Sequence, residues 1–207
     1  SSAASDVYKR QLPGRQDSGF QGEVGEAVTI EGILEHNRRF VAEKGYERFI
    51  TDKFPDKKLA IVTCMDTRLT ELLLAALGLR NGDAKIIKNA GGTVLNPFST
   101  EVRSLLVGIY ELGVEDVMVV GHTDCGAQHI NGPDMTEAML SRGIPQEAID
   151  ACRYFDVDFD SWLCGFDSVE ESVRASVALL EKHPLIPDDV RIRGFIIDSV
   201  TGELREV

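Results

Sequence analysis

The stretch LAIVTCMDTRLTELLLAALGL, residues 59–79, decides the fold of this chain. It opens with a short apolar run, LAIVT (59–63), which follows the turn-forming segment FPDKK. A short, continuous apolar run of this kind is typical of a strand that is buried on both faces. LTELLLAALGL (69–79) is predicted to be a helix, so the stretch as a whole predicts one strand–helix unit of a parallel sheet.

The same pattern recurs further along the chain. AKIIK (84–88) and DVMVV (116–120) are predicted strands, and STEVRSLLVGIYELG (99–113) between them is a predicted helix. Ser99 can cap the start of this helix and Gly113 its end. The chain therefore predicts an α/β fold with a mostly parallel central sheet flanked by helices.

The remaining segments are less regular. A helix is predicted to follow the first 26 residues, with Gly45 as its stop, whereas residues 132–166 show no clean period and are predicted to be irregular or to form short helices. SVEESVRASVALLEKHP (168–184) is a further predicted helix. Residues 194–207 predict a strand, a turn and a second strand.

Length and composition predict one domain. The chain has 207 residues, of which 43% are apolar, which is enough for a sizeable core. The opening SSAASDVYKRQ (1–11) resembles the translation of a transposase end sequence used in sequencing libraries. Residues 1–26 are therefore predicted to be an artefact followed by a flexible segment, and residues 27–207 to be the single domain.

Charge and cysteine content exclude several classes of function. A net charge of −12 repels phosphate backbones and anionic membranes, so neither nucleic acid nor a membrane is an expected partner. No apolar run approaches the roughly 18 residues that span a bilayer. The four cysteines are too few and too scattered for a disulfide scaffold, and the first 30 residues lack an apolar signal segment. These features predict a cytoplasmic protein.

Three polar segments follow the three predicted strands directly. They are CMDTR (64–68), NAGG (89–92) and GHTDCG (121–126). Sites in open α/β sheets form at the carboxyl ends of parallel strands. The three segments are therefore expected to converge on one site.

Cys64, His122 and Cys125 are the candidate metal ligands of this site. Two thiolates and one imidazole suit zinc, and three protein ligands leave open the fourth position that catalytic zinc requires. Each residue alone is a weak signal, because H-x-x-C is short and a single cysteine at a strand end usually belongs to the core. Their placement at the ends of neighbouring strands favours the zinc interpretation.

The other cysteines and histidines carry little signal. Cys152 and Cys164 lie in the irregular region without a partner at metal-ligand spacing, and they are interpreted as structural or incidental. His36 and His183 are interpreted as surface or core residues. His129 follows the predicted metal loop, where the alternatives are a proton relay and a plain surface histidine.

Asp66 and Arg68 are the candidate catalytic residues. A carboxylate beside zinc can orient a water molecule, and a guanidinium two residues on can hold that carboxylate with two hydrogen bonds. The alternative is an exposed ion pair of little consequence. Gly91 and Gly92 let backbone N–H groups approach a small substrate closely, although a plain turn would use the same residues.

CMDTR, KNAGG and GHTDCG, in this order, resemble the three signature segments of the β-class carbonic anhydrases. The resemblance extends from about residue 27 to the C-terminus, so it covers the whole predicted catalytic domain. The closing stretch from DSWLCGFDSVEES onward resembles a short actinobacterial-type subgroup, which is also similar to carbonyl sulfide hydrolases.

The resemblance implies a zinc-dependent lyase that hydrates CO2 reversibly to bicarbonate and a proton through zinc-bound hydroxide. It implies one Zn2+ per subunit on Cys64, His122 and Cys125, and in some members the residue matching Asp66 becomes the fourth ligand. It also implies a homodimer or homotetramer. The alternatives are a carbonyl sulfide hydrolase with the same site and a non-catalytic zinc-binding regulatory protein, although the latter would usually have lost part of the Asp66–Arg68 pair.

Overall fold

The computed structural model describes residues 29–155 and 158–207. The predicted artefact and flexible segment over residues 1–26 lie outside the described residues. The chain divides between Arg48 and Phe49 into two compact units. The single domain predicted over residues 27–207 stays a prediction.

The unit that begins at Phe49 contains a five-stranded sheet. Its strands are β1 (Leu59–Cys64), β2 (Ala84–Asn89), β3 (Asp116–His122), β4 (Arg191–Ile197) and β5 (Leu204–Glu206). Their order is β2-β1-β3-β4-β5, and all neighbours are parallel except β4 and β5. The predicted mostly parallel α/β fold is confirmed.

Helices connect the strands and flank the sheet. They are α2 (Leu69–Ala76), α3 (Thr100–Leu112), α4 (Gly132–Ser141), α5 (Gln146–Cys152), α6 (Phe159–Trp162) and α7 (Val169–Glu181). The segment without a clean hydrophobic period thus forms the short helices α4 to α6, as predicted. Among the helices that the structure describes, none has the length and apolar character needed to cross a membrane.

The side chains of β1 alternate between two separate clusters of the hydrophobic core. Val62 belongs to a buried cluster with Leu105 of α3 and Leu180 of α7, whereas Ile61 belongs to a second cluster with Leu73 of α2. Neighbouring residues of a strand point to opposite faces, so α2 covers one face and α3 and α7 cover the other. Full burial of each such side chain stabilises the fold by about 1.5–3 kcal/mol.

The ends of α3 form as the sequence predicts. The Ser99 side chain accepts a hydrogen bond from the N–H of Val102, and Gly113 adopts a left-handed conformation with φ 73°. Because Ser99 satisfies an otherwise unpaired N–H and Gly113 turns the chain without strain, both ends of the helix are fixed. The helix therefore leads directly into β3, and His122 lies at the end of that strand.

The unit that ends at Arg48 contains α1 (Ile30–Ala42). This helix ends three residues before Gly45, the predicted stop. Lys44, directly before Gly45, takes a left-handed conformation with φ 56°. Gly45 still contributes, because its N–H donates to the carbonyl of Phe40 at 2.8 Å and so satisfies one of the last free carbonyls of the helix.

Candidate functional site

The sheet brings together the ends of the three strands that carry the polar segments. β1 lies between β2 and β3, with Cys64 paired to Asn89 and Thr63 paired to Val120. Each of the three strands continues one or two residues beyond its predicted end. Cys64, Asn89 and His122 are therefore the last residues of their strands. The predicted convergence at one edge of the sheet is therefore what the register produces.

The donor atoms of Cys64, His122 and Cys125 lie within 4.8 Å of one another, and all three residues are buried. The two Sγ atoms are 3.9 Å apart. Two sulfur atoms and one imidazole nitrogen form a donor set that suits zinc. These three residues, far apart in sequence, could hold one metal ion.

The orientation of His122 fits a metal ion. Its Nδ1 lies 2.8 Å from the carbonyl oxygen of Thr123, and since a carbonyl can only accept, Nδ1 carries the proton. The lone pair is then on Nε2, which is buried and has no hydrogen-bond partner among the described residues. An unsatisfied buried nitrogen costs about 1–3 kcal/mol, and coordination of a metal ion would remove that cost.

The two thiols ionise unequally. Burial raises the pKa of Cys64, but the adjacent His122 and the backbone N–H groups of Asp66 and Gly91 outweigh burial and lower it to about 7. Burial and the neighbouring Cys64 raise the pKa of Cys125 to about 11. Two thiolates this close repel each other, so both would ionise together only beside a cation, which again fits a divalent metal ion.

Asp66 and Arg68 form the predicted pair. The Nε and Nη2 of Arg68 donate to Oδ1 and Oδ2 of Asp66 at 3.0 and 2.8 Å, and the Arg68 backbone N–H donates to Oδ1 at 2.8 Å. Hydrogen bonds from Arg68 lower the pKa of Asp66 to about 2, so the carboxylate is charged at neutral pH. Its Oδ2 is 3.8 Å from Nε2 of His122. The role of Asp66 as a fourth ligand stays a prediction.

Arg68 also makes a contact that the sequence analysis missed. Its Nη1 donates to Oδ2 of Asp124 at 2.8 Å, and its Nη2 donates to the carbonyl oxygen of Asp124 at 2.7 Å. Asp124 lies between the candidate ligands His122 and Cys125. A signal was present, because Asp124 is the only acidic residue in GHTDCG, but the sequence interpretation assigned Arg68 to Asp66 alone.

The glycines of the NAGG segment meet a steric requirement. Gly91 and Gly92 are buried with φ 87° and 66°. A Cβ on Gly92 would lie 2.7 Å from the backbone nitrogen of Cys64 and 2.8 Å from the carbonyl carbon of Thr63. The loop therefore packs directly on the end of β1, where no side chain fits. Substrate binding by Gly91 and Gly92 stays a prediction.

Gly92→Ala is expected to lower the free energy of unfolding by about 2–5 kcal/mol, because it adds overpacking against β1 to left-handed strain. The matched control is Gly78→Ala, since Gly78 has the same φ of 66° but open space around its Cβ. The control is expected to lose only about 1–2 kcal/mol. Urea denaturation of both variants measures the difference, and equal losses would show that the close approach has no energetic consequence.

Two further cysteines and two further histidines of the same unit are not part of this group. Cys152 and Cys164 are not among the clustered donor atoms. His129 is exposed, with Nδ1 3.9 Å from a carboxylate oxygen of Asp167, so it retains both of its predicted alternatives. His183 is buried, and its ring hydrogen-bonds to backbone groups, which makes it a core residue.

A cavity of about 620 Å3 opens beside the NAGG segment. Its lining is mostly apolar and includes Ala90, Ala127, Ile130, Met135 and Phe166. Ala127 also belongs to the core cluster that contains Cys64 and Cys125, and Phe166 packs against that cluster. The cavity and the candidate metal centre therefore share Ala127 as a neighbour.

Known proteins are similar to this chain in both sequence and fold. The family model described as carbonic anhydrase matches residues 59–204. This chain belongs to the β-carbonic anhydrase family. β-Carbonic anhydrase isoform I of Trichomonas vaginalis has a crystal structure that matches with a TM-score of 0.78 at 33% identity, covering 86% of this chain and 97% of that one. The resemblance found in the sequence and the predicted enzyme class are confirmed.

Sequence relatives point to two activities within this family. YtiB of Bacillus subtilis, assigned by name to the carbonic anhydrases, is 51% identical over 175 residues, covering 84% of this chain and 94% of the relative. The carbon disulfide hydrolase of Acidianus sp. (strain A1-3) is 34% identical over 163 residues, covering 73% and 78%. β-Carbonic anhydrases are metalloenzymes, and Cys64, His122 and Cys125 are the described residues that could hold the ion.

Proposed function

We propose that this β-carbonic anhydrase catalyses the reversible hydration of CO2 to bicarbonate and a proton, with one Zn2+ per subunit on Cys64, His122 and Cys125. The observation that carries the proposal is the buried donor set, in which Nε2 of His122 is unpaired among the described residues and lies beside two sulfur atoms 3.9 Å apart. When bound, zinc acts as a Lewis acid that lowers the pKa of a water molecule to about 7.

Asp66 orients the attacking water by accepting a hydrogen bond from it. Arg68 keeps Asp66 ionised and in place through three hydrogen bonds of 2.8 to 3.0 Å. The Oδ2 of the same carboxylate lies 3.8 Å from Nε2 of His122, so Asp66 could itself become a fourth ligand if it turned away from Arg68. The bonds from Arg68 favour the orienting role, because leaving Arg68 would cost Asp66 these charge-assisted hydrogen bonds.

The cavity beside the NAGG segment suits a small nonpolar substrate. CO2 has no charge and no hydrogen-bond donor, so an apolar wall that includes Ala127 and Phe166 admits it without leaving polar groups unpaired. Gly91 and Gly92 follow the lining residue Ala90, and their loop is proposed to help place the substrate. Bicarbonate, being charged, then leaves toward solvent.

The remaining parts of the proposal rest on the family resemblance and on composition. The protein is proposed to be cytoplasmic and to form a homodimer or homotetramer. Neither nucleic acid nor a membrane is a proposed partner, in keeping with the net charge of −12. Sedimentation equilibrium of the purified protein distinguishes two subunits from four, and a monomer would contradict this part of the proposal.

Stopped-flow measurement of CO2 hydration tests the proposed activity. The zinc-loaded protein is expected to hydrate CO2 well above the buffer rate between about pH 7 and 8.5, where a metal-activated water is largely ionised. Protein freed of metal by a chelator is the matched control and is expected to match the buffer. A zinc-loaded protein that does no better than this control would refute the proposal.

A second candidate function is hydrolysis of a sulfur analogue of CO2. The relative from Acidianus at 34% identity favours it, since that protein is named as a carbon disulfide hydrolase. Carbon disulfide and carbonyl sulfide are linear and uncharged and have no hydrogen-bond donor, so the same centre and cavity could serve them. Measured kcat/KM values for CO2, carbonyl sulfide and carbon disulfide decide between the functions, and a preference for a sulfur compound would replace CO2 as the substrate.

A further inference from the structure

Arg68 uses all three nitrogens of its guanidinium group in a bridge between two aspartates. Nε and Nη2 donate to the Asp66 carboxylate, while Nη1 donates to the Asp124 carboxylate and Nη2 also donates to the Asp124 carbonyl oxygen. The two aspartates lie on different loops, one after β1 and the other after β3. Arg68 therefore joins the loop that follows Cys64 to the loop that holds His122 and Cys125.

The backbone of Asp124 is shaped for this contact. Its φ is 53°, in the left-handed region that residues other than glycine, asparagine and aspartate rarely adopt. In this conformation both the carboxylate and the carbonyl oxygen of Asp124 reach Arg68, at 2.8 and 2.7 Å. The unusual backbone and the two hydrogen bonds thus occur at the same residue.

We propose that Asp124 is a positioning residue, which anchors Arg68 on the β3 loop and so holds the Asp66 carboxylate in its orienting position. The effect on turnover rests on the proposed carbonic anhydrase function, whereas the anchoring itself does not. An arginine held by Asp66 alone would be tied to one loop, and its long side chain could turn together with the carboxylate. The second anchor on the β3 loop removes that freedom.

The anchoring acts on orientation and contributes little to stability. The Asp124 side chain is 86% exposed, and an exposed ion pair adds little to the free energy of folding. Asp66 is different, because its carboxylate lies 3.8 Å from the unpaired Nε2 of His122 and can turn toward the metal position. A small change in how firmly Arg68 is held therefore shifts the fraction of molecules in which Asp66 orients water.

Asp124→Asn tests this proposal, because asparagine tolerates the left-handed conformation and keeps the carbonyl contact while removing the carboxylate charge. We expect kcat to fall roughly three- to tenfold, with KM, zinc content and Tm unchanged. In an Arg68→Ala background the same substitution is expected to have no further effect, since Asp124 acts through Arg68. The matched control is Asp116→Asn at the opposite end of β3, which removes the charge of a carboxylate that accepts from Arg191 at 2.6 Å and is expected to leave kcat unchanged.

A second measurement does not depend on activity. In 15N NMR spectra of the zinc-loaded protein, the two Nη groups of Arg68 are expected to give separate signals, because its hydrogen bonds slow the rotation of the guanidinium group. In Asp124→Asn this rotation is expected to be faster, so that the two signals merge into one. If the wild-type protein hydrates no CO2, the proposed function fails, yet these spectra still decide whether Asp124 anchors Arg68. Unchanged Arg68 signals in Asp124→Asn would overturn the proposal, as would an equal loss of kcat with and without Arg68.

Discussion

Cys64→Ser is expected to abolish zinc binding and, with it, measurable CO2 hydration. A serine hydroxyl stays protonated at neutral pH and is a much poorer zinc ligand than a thiolate, so only His122 and Cys125 would remain. Zinc measured by elemental analysis after dialysis is expected to fall from about one to below about 0.1 ion per chain, because the affinity of a thiolate site depends on each deprotonated ligand. Turnover measured on the same samples is expected to fall to the buffer rate.

The matched control is Cys152→Ser, because Cys152 is a free cysteine on α5 that is not among the clustered donor atoms and does not line the cavity beside the NAGG segment. It is expected to retain full zinc content and activity. Far-UV circular dichroism of both variants separates metal loss from unfolding. A folded Cys64→Ser protein that keeps one zinc ion per chain would show that Cys64 is not a ligand.

Asp66→Asn is expected to lower kcat by about 100-fold while zinc stays bound, because a neutral amide orients and accepts from water less well than a carboxylate. Zinc content is retained since the ligand set of Cys64, His122 and Cys125 is intact. Arg68→Ala is expected to act in the same direction, because it releases Asp66. Stopped-flow kinetics together with elemental analysis of the same samples measure both effects.

The control for this substitution is Asp150→Asn. Asp150 also pairs with an arginine, Arg153, at 3.2 Å, but it lies on α5 in an exposed position. It is expected to leave kcat unchanged. If Asp66→Asn resembled this control, the Asp66–Arg68 pair would be an ordinary surface ion pair, and another group would have to orient the water.

The fold follows from local signals that the sequence carries plainly. Apolar runs such as LAIVT specify strands buried on both faces, and Ser99 and Gly113 mark the helix between two of them. Because parallel strands align their carboxyl ends, the positions of Cys64 and His122 directly after such runs were enough to predict that they meet. The convergence of the candidate ligands on one site therefore follows from the order and register of the strands.

The features that the sequence did not reveal depend on contacts between distant segments. The contact between Arg68 and Asp124 requires the left-handed backbone of Asp124, which the residue type permits but does not dictate. The steric role of Gly92 arises only because its loop packs on the end of β1. Helix α1 ends three residues before Gly45, the predicted stop, and Lys44 takes the left-handed conformation that glycine most often adopts at a helix end.

X-ray absorption at the zinc K-edge, on the zinc-loaded protein at pH 7.5, tests whether Cys64, His122 and Cys125 bind zinc. Zinc is expected to have two sulfur neighbours at about 2.3 Å and one imidazole nitrogen at about 2.0 Å, with one further light atom from water or Asp66. Cys64, His122 and Cys125 are the described residues whose donor atoms cluster in this way. A spectrum with no sulfur neighbours, or with three or four of them, would show that these three residues are not the zinc ligands.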